Sequence, residues 1–537
     1  MRRLLLISCM MAVTTPVFAQ TVDAKGADEL AATLSKYFGK TAIEKKIINV
    51  VPEADNYRIT FSTAKLLESL PKQDYIKGDF GEYSLLTKPL ADGSWNVTSS
   101  TMPRGSVEMV TPTGPETLQW SIDNANVSGI FDPKIGAFSK ASFAYGSFKL
   151  KSTSPTQDVE ASAGSAKGET IGTAAASGGV DFSSVQSAAD FRETMTIKAP
   201  APTDGAATDG GATPAPATPA EPLKVVIRGN ELGANADAKG FRNLQLLDLW
   251  AFFIAHAGEK TLKDTEQAEL KAKVLAALPL WDKLSGAYHL ADLDVETPLG
   301  PFAAKNVSQE LNFDGISKSG GYHYAFRTNG LKYPSLPIPE WSAQFLPTDV
   351  EFAFGTTGID LDTVAKAAVA DMDLNREKPF SDEFEASTAA AFMMNPPKVV
   401  INKSLIRTAD TELTVEGEVS FAALKPESRT TWEMAGFDVA LDRLTKASKQ
   451  EPEIKNYIVF AKLAKDFGTQ LPNGHIQWVV DQKADGSVSV NGNPVKGPDP
   501  VVEPGDDTLD GDAAAPGEEE DNEGMDNGIV VMPPAPQ

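Results

Sequence analysis

Residues 413–421 read LTVEGEVSF, with an apolar side chain or glycine at each odd position and a polar side chain at each even one. Successive side chains of a β-strand point to opposite faces, so this alternation predicts a strand with one buried face and one solvated face. The same period appears in YRITF at 57–61 and LQWSI at 118–122. Near the end, IQWVV and VSV flank the dipeptide Asp485-Gly486, which is typical of a β-hairpin.

Three segments have helical spacing instead. Residues 244–257 are apolar almost all round, which predicts a helix that is buried or touches lipid. Residues 265–278 and 453–467 are amphipathic and predict two further helices. We therefore predict the α+β class, a strand-rich chain with long antiparallel sheets and a few packed helices.

Two further stretches bear on the strand content. Phe437, Val439 and Leu441 alternate, and this spacing predicts another strand. Residues 152–190 are rich in Ala, Gly, Ser and Thr, and their pattern fits either thin strands or a long loop.

The N-terminus has the pattern of an export signal. Arg2 and Arg3 precede an apolar run from 4 to 13, and small residues lead to a cleavage site between Ala19 and Gln20. An alternative is lipidation at Cys9, which lies in a lipoprotein-like box. Because Cys9 is the single cysteine of the chain, removal of 1–19 leaves no disulfide, a situation typical of large periplasmic proteins of bacteria rather than of secreted eukaryotic ones. The apolar run is too short to span a membrane, so we expect no transmembrane segment after signal removal.

Composition divides the rest of the chain. Residues 199–222 are nearly all Ala, Pro, Thr, Gly and Asp, which predicts a disordered linker between a strand-rich N-terminal domain (20–198) and an α+β C-terminal domain (223–495). Residues 496–537 carry twelve acidic side chains against one lysine and predict a disordered acidic tail. The net charge of −24 would repel phosphate backbones, so we expect no nucleic-acid partner.

The segment PPKVVI at 396–401, the strand at 413–421 and the closing GSVSVNG at 486–492 resemble the C-terminal part of the YdgA-like periplasmic proteins of proteobacteria. The resemblance covers the second predicted domain. It implies an exported protein with a strand-rich body and no known catalytic residues.

Motifs for catalysis are present only as fragments. Ser62 and Lys65 fit S-x-x-K, the nucleophile and base of penicillin-binding proteins, while Ser94-Trp95-Asn96 and Lys318-Ser319-Gly320 imitate the two companion motifs. Pro71 would cut short the long helix that the serine should open, and the three motifs are badly spaced. We therefore expect no enzyme, and keep a serine hydrolase using Ser62 and Lys65 as the alternative.

Metal and cofactor sites are not expected. His289, Asp292, Asp294 and His323 are candidate ligands, but His289 and Asp292 would face opposite sides of one strand. No paired-histidine spacing occurs, so we predict no metal and no cofactor.

The leading hypothesis is a non-enzymatic periplasmic binding or scaffold protein that contacts lipid or another envelope protein. The candidate apolar contact surface lies on the helix at 244–257 and consists of Leu244, Leu247, Trp250, Phe253 and Ile254. We expect this helix to be part of the core; the alternative is a groove for an acyl chain.

Overall fold

The computed structural model describes residues 22–69, 76–79, 81–100, 102, 104–111, 114–198, 222–256, 258–335, 338–422 and 425–500. The predicted signal peptide and Cys9, almost all of the predicted linker and nearly the whole acidic tail lie outside these ranges.

The described helices are α1 (Ala24–Phe38), α2 (Lys40–Glu44), α3 (Thr63–Ser69), α4 (Asn243–His256), α5 (Asp264–Ala277), α6 (Glu340–Ala343), α7 (Leu361–Asp371), α8 (Asp382–Met394), α9 (Phe437–Ala447) and α10 (Ile454–Phe467). The first thirteen strands are β1 (Ile48–Glu53), β2 (Asn56–Ser62), β3 (Ile76–Asp79), β4 (Glu82–Pro89), β5 (Trp95–Ser99), β6 (Gly105–Thr111), β7 (Gly114–Asp123), β8 (Asn126–Asp132), β9 (Ala137–Tyr145), β10 (Ser147–Thr153), β11 (Gln157–Ala163), β12 (Ala166–Ala174) and β13 (Val180–Ile197). The remaining strands are β14 (Leu223–Phe241), β15 (Lys283–Thr297), β16 (Gly300–Asp314), β17 (Gly320–Asn329), β18 (Asp349–Ile359), β19 (Lys398–Arg407), β20 (Glu412–Ala422), β21 (Lys425–Ala435), β22 (Thr469–Gln470), β23 (Ile476–Gln482), β24 (Val488–Val490) and β25 (Asn493–Lys496).

All the described strands belong to one antiparallel sheet, which confirms the strand-dominated α+β class. From β13 onward each strand pairs with the next, in the order β13 to β21 and then β23, β24 and β25. Consecutive antiparallel pairing needs only short connections or local insertions, which here hold the helices.

The sheet forks at β13. Residues 180–188 pair with β12, and that branch runs on through β9, β8, β5, β4 and β2 to β1. Residues 192–197 pair with β11, and that branch continues through β10, β7 and β6 to β3. Between the two halves Asp190 has a left-handed backbone, with φ of 54°. The kink at Asp190 marks the point where β13 passes from one branch to the other.

The predicted linker joins two paired strands. β13 and β14 lie on either side of it and form sixteen antiparallel residue pairs. The strand pairing therefore continues across the boundary that the sequence predicts, and the division into two domains stays a prediction.

Most helix predictions match within a residue or two: 244–257 is α4, 265–278 is α5 and 453–467 is α10. The strand predicted through Phe437, Val439 and Leu441 is wrong, because these residues open helix α9, in which Ala440 and Ala447 are buried. Three alternating residues are too few to separate a period of 2 from one of 3.6. The undecided stretch 152–190 forms strands, namely β11, β12 and much of β13.

The core around α4 is formed where helices cover the N-terminal branch. Ile254 of α4 packs with Ala42, Ile47 and Ile48 in one buried cluster. Ala27 and Leu30 of α1 pack on Tyr57 of β2 in a neighbouring cluster. These clusters fix α1, α2 and α4 on the same side of the sheet.

Candidate functional site

A cavity of about 340 Å³ lies between helices α1 and α4 and the sheet beneath them. Its lining side chains are almost all apolar, and none is charged. They are Leu30, Thr33, Leu34, Tyr37, Phe38, Ile48, Ile59, Phe61, Leu85, Thr87, Trp95, Val97, Phe131, Pro133, Gly136, Phe138, Asn243 and Leu247.

The floor of the cavity is set by strand register. Residues paired across antiparallel strands point to the same face of a sheet. Ile59 pairs with Leu85, Val97 with Thr87, and Trp95 with Phe131, so their side chains share one face. Phe131 pairs in turn with Phe138 after an irregularity in β9, which brings the Phe138 ring onto the same face. The alternating pattern of each strand thus gives the cavity an apolar floor.

The roof of the cavity is helical. Helix α1 begins at the side chain of Asp23, which accepts a hydrogen bond of 2.8 Å from the Gly26 backbone N–H. One face of α1 then presents Leu30, Leu34 and Phe38 to the cavity. The phenol of Tyr37 donates a hydrogen bond of 2.9 Å to the Pro133 carbonyl and ties α1 to the turn after β8.

Helix α4 closes one side of the cavity. Asn243 donates a side-chain hydrogen bond to the Gly136 carbonyl, and Leu247 lines the cavity one turn later. Gly136 has φ of 62°, and a Cβ there would lie 2.4 Å from Leu244 Cδ2. Gly136 is therefore needed both for the turn and for the close approach of α4.

The five residues of the predicted contact surface do not lie on one common surface. Leu247 lines the cavity, and Ile254 is 2% exposed inside the core cluster. Leu244 packs near Gly136 and is 38% exposed. Trp250 and Phe253 are 41% and 50% exposed, so the expectation that α4 buries them as core is wrong. The helix buries one stripe and leaves Trp250 and Phe253 on the outside.

Polar atoms in the cavity are few. Thr33, Tyr37, Thr87, Trp95 and Asn243 provide them, and three of these, Thr33, Tyr37 and Asn243, are already bonded to main-chain carbonyls. Burial, and to a smaller extent the Asp132 carboxylate, raises the pKa of Tyr37, so the phenol is neutral at ordinary pH. The cavity can hold an apolar group by contact, but it offers no charged partner for a polar one.

The three hydrolase-like motifs are not brought together. Ser62 pairs with Glu82 at one end of β4, whereas Trp95 pairs with Pro89 at the other end. Seven residue steps along β4 place these points roughly 23 Å apart. Ser62 is buried, and its Oγ accepts a 3.5 Å bond from the backbone N–H of Lys65, as an N-cap of α3 does. Lys318 precedes β17, which lies ten strands from β2 in the sheet order.

The candidate metal ligands of β15 and β17 have separate partners. Asp294 pairs with Arg228 at 3.1 Å, Asp292 accepts a bond from Asn230, and His323 Nδ1 lies 2.9 Å from Asn402 Nδ2. His289 pairs with Ser308 in the sheet register.

A different group, which the sequence patterns did not indicate, lies at the end of α4. His256, Glu259 and Glu266 place their ligand atoms within 4.8 Å of one another. Lys263 already binds Glu266, through its Nζ at 2.7 Å and its backbone N–H at 2.7 Å. Side-chain and backbone hydrogen bonds from Lys263 lower the pKa of Glu266. These contacts form a capping box, in which the side chain of the third helical residue, Glu266, stabilises the start of α5.

Comparison with protein-family models, with curated proteins and with solved structures gives no match for this chain. Of the helices in the described ranges, none combines the length and apolar character that crossing a membrane requires.

Proposed function

We propose that this chain is a non-enzymatic periplasmic binding protein that holds an apolar ligand, such as the acyl chain of a lipid, in the cavity beneath α1 and α4. The observation that carries the proposal is the apolar lining of that cavity, which contains no charged side chain. The export signal predicted at 1–19 supports a place in the envelope, where lipids are abundant.

The size of the cavity favours a ligand over an ordinary packing defect. Protein interiors are close-packed, and voids larger than a water molecule are few. Small-molecule pockets begin at about 300 Å³, so the cavity falls within the range that ligands fill.

The experiment uses the purified full chain after delipidation. A naphthylamine probe that fluoresces in apolar surroundings is added, and saturated fatty acids of increasing length are then used to displace it. We expect saturable binding of the probe and displacement by the fatty acids.

Two matched variants locate the binding. Leu247→Trp fills the cavity and is expected to weaken probe binding at least tenfold, whereas Leu275→Trp makes the same change at a 45% exposed position of α5 and should leave binding unchanged. Circular dichroism checks that both variants fold. The proposal is wrong if the delipidated wild type binds neither the probe nor any fatty acid.

A further inference from the structure

A group of aromatic rings lies on the sheet far from the cavity, on β16, β17 and β18. The ring centroids of Phe313 and Tyr322 are 6.3 Å apart, those of Tyr322 and Phe354 are 6.0 Å apart, and those of Tyr324 and Phe354 are 5.5 Å apart. Phe352 joins at 5.2 Å from Phe354. We call these five side chains the aromatic patch.

The aromatic patch is partly open to solvent, with Tyr322, Tyr324 and Phe354 half-buried. Phe313 is 43% exposed and Phe352 is 49% exposed. On the opposite face of the same strands, Arg327 pairs with Glu310 at 3.3 Å and with Glu351 at 2.6 Å. The sheet is therefore amphipathic here, with a charged outer face and an uncovered apolar face.

The aromatic patch lies on the sheet face that also forms the cavity floor. Val97 on the floor pairs with Gly129, and Gly129 pairs with Ala141 of β9. From β9 the same face continues through the paired residues Phe143, Gly168, Gln186, Ala234, Tyr288, Gln309 and Phe326 to Phe352.

The side chains between the two sites are mostly apolar, and several of them are small, so they project little from the sheet. A Cβ on Gly168 would lie 2.4 Å from the Phe143 ring, so the ring occupies the space above the glycine. Ala234 adds only a methyl group, and the phenol of Tyr288 donates its hydrogen bond to Gln309. No step of the strand register moves the face to the other side of the sheet.

The distance between the cavity and the aromatic patch decides whether one acyl chain can occupy both. Seven strand steps separate β9 from β18, or roughly 34 Å at about 4.8 Å a step. A single acyl chain spans one leaflet, roughly half of the 30 Å hydrocarbon core. One chain therefore cannot fill both sites.

We propose that the aromatic patch is a second binding position for acyl chains, on the same apolar face as the cavity; this rests on the proposed function. The cavity is too small for a folded partner, and the shared face indicates one ligand class for both positions. Rigid apolar rings suit an alkyl chain, which binds through contact area alone.

The test is photo-crosslinking of the full chain with a fatty acid that carries a diazirine near its methyl end, followed by peptide mapping. We expect labelled peptides both from the cavity lining and from β16 to β18, and an excess of unlabelled fatty acid should remove both. Phe352→Asp should reduce labelling of β16 to β18 at least tenfold while the cavity peptides stay labelled.

The control variant is Val185→Asp, because Val185 is 63% exposed on the opposite face of β13. It should leave both sets of labelled peptides unchanged. Labelling confined to the cavity would overturn this inference and leave the proposed function standing, whereas absence of all labelling would overturn both. A dimer that dissociates in Phe352→Asp, with no labelled peptide from the patch, would show that a second copy of the chain covers it and would also overturn the inference.

Discussion

Replacing Ile254 with alanine is expected to destabilise the fold by about 3 kcal/mol, whereas the same change at Phe253, its neighbour in α4, is expected to cost about 1 kcal/mol. Ile254 is 2% exposed and packs on Ala42, Ile47 and Ile48. Truncation of a buried isoleucine to alanine usually costs roughly 2–5 kcal/mol, because it removes apolar contact and leaves a cavity.

The smaller value follows from the exposure of the Phe253 ring. Full burial of a phenylalanine side chain is worth about 1.5–3 kcal/mol, and half of the Phe253 residue remains in water. The same reasoning applies to Trp250, which is 41% exposed. If α4 buried its whole circumference, as the sequence suggests, alanine at either position would cost roughly 3–5 kcal/mol instead.

Urea unfolding followed by far-ultraviolet circular dichroism measures the three variants against the wild type. The midpoint should fall clearly for Ile254→Ala and only slightly for Trp250→Ala and Phe253→Ala, with similar slopes. Equal losses at Phe253 and Ile254 would refute the assignment of an inner and an outer face to α4.

Three further predictions address other parts of the chain. A hydrogen bond from Asn312, with help from Arg327, lowers the pKa of Glu310. The ionised Glu310 side chain therefore stabilises the fold at neutral pH, and this stabilisation is lost as the pH falls through the lowered pKa. Glu310→Gln should lessen the fall of the melting temperature on acidification. Mass spectrometry of the exported protein should find Gln20 at the N-terminus, and an intact Met1 would contradict export. Limited proteolysis should cut within 199–222 first, and the two fragments should still co-elute because β13 and β14 pair.

Long alternating runs predict strands correctly because strand period alone specifies them. The run at 413–421 is β20, and the segments around Asp485-Gly486 are β23 and β24. The apolar run from Val225 to Ile227 by itself predicts only a short strand, whereas β14 continues to Phe241. The segment NELGANADAK inside β14 has one large apolar residue, Leu232, and its pairing with the strands on both sides keeps it extended.

The cavity could be predicted only in part. Periodicity identified α4 as unusually apolar, and Leu247 does line the cavity. The other walls come from α1, β1, β2, β4, β5, β8 and β9, which the chain brings together through pairings such as that of β5 with β8. Such non-local contacts leave no local period in the sequence. For the same reason the exposure of Trp250 and Phe253 depends on neighbours that the helix pattern does not contain.

The position of residues 199–222 between two paired strands has a consequence for how this chain can be divided. Sixteen residue pairs hold β13 to β14, so the two strands can stay paired without the peptide connection between them. Two polypeptides ending near 198 and beginning near 222, produced together in one cell, should find each other by strand complementation. The same position is also suited to new chain termini or an inserted reporter domain, since both would leave the sheet order unchanged.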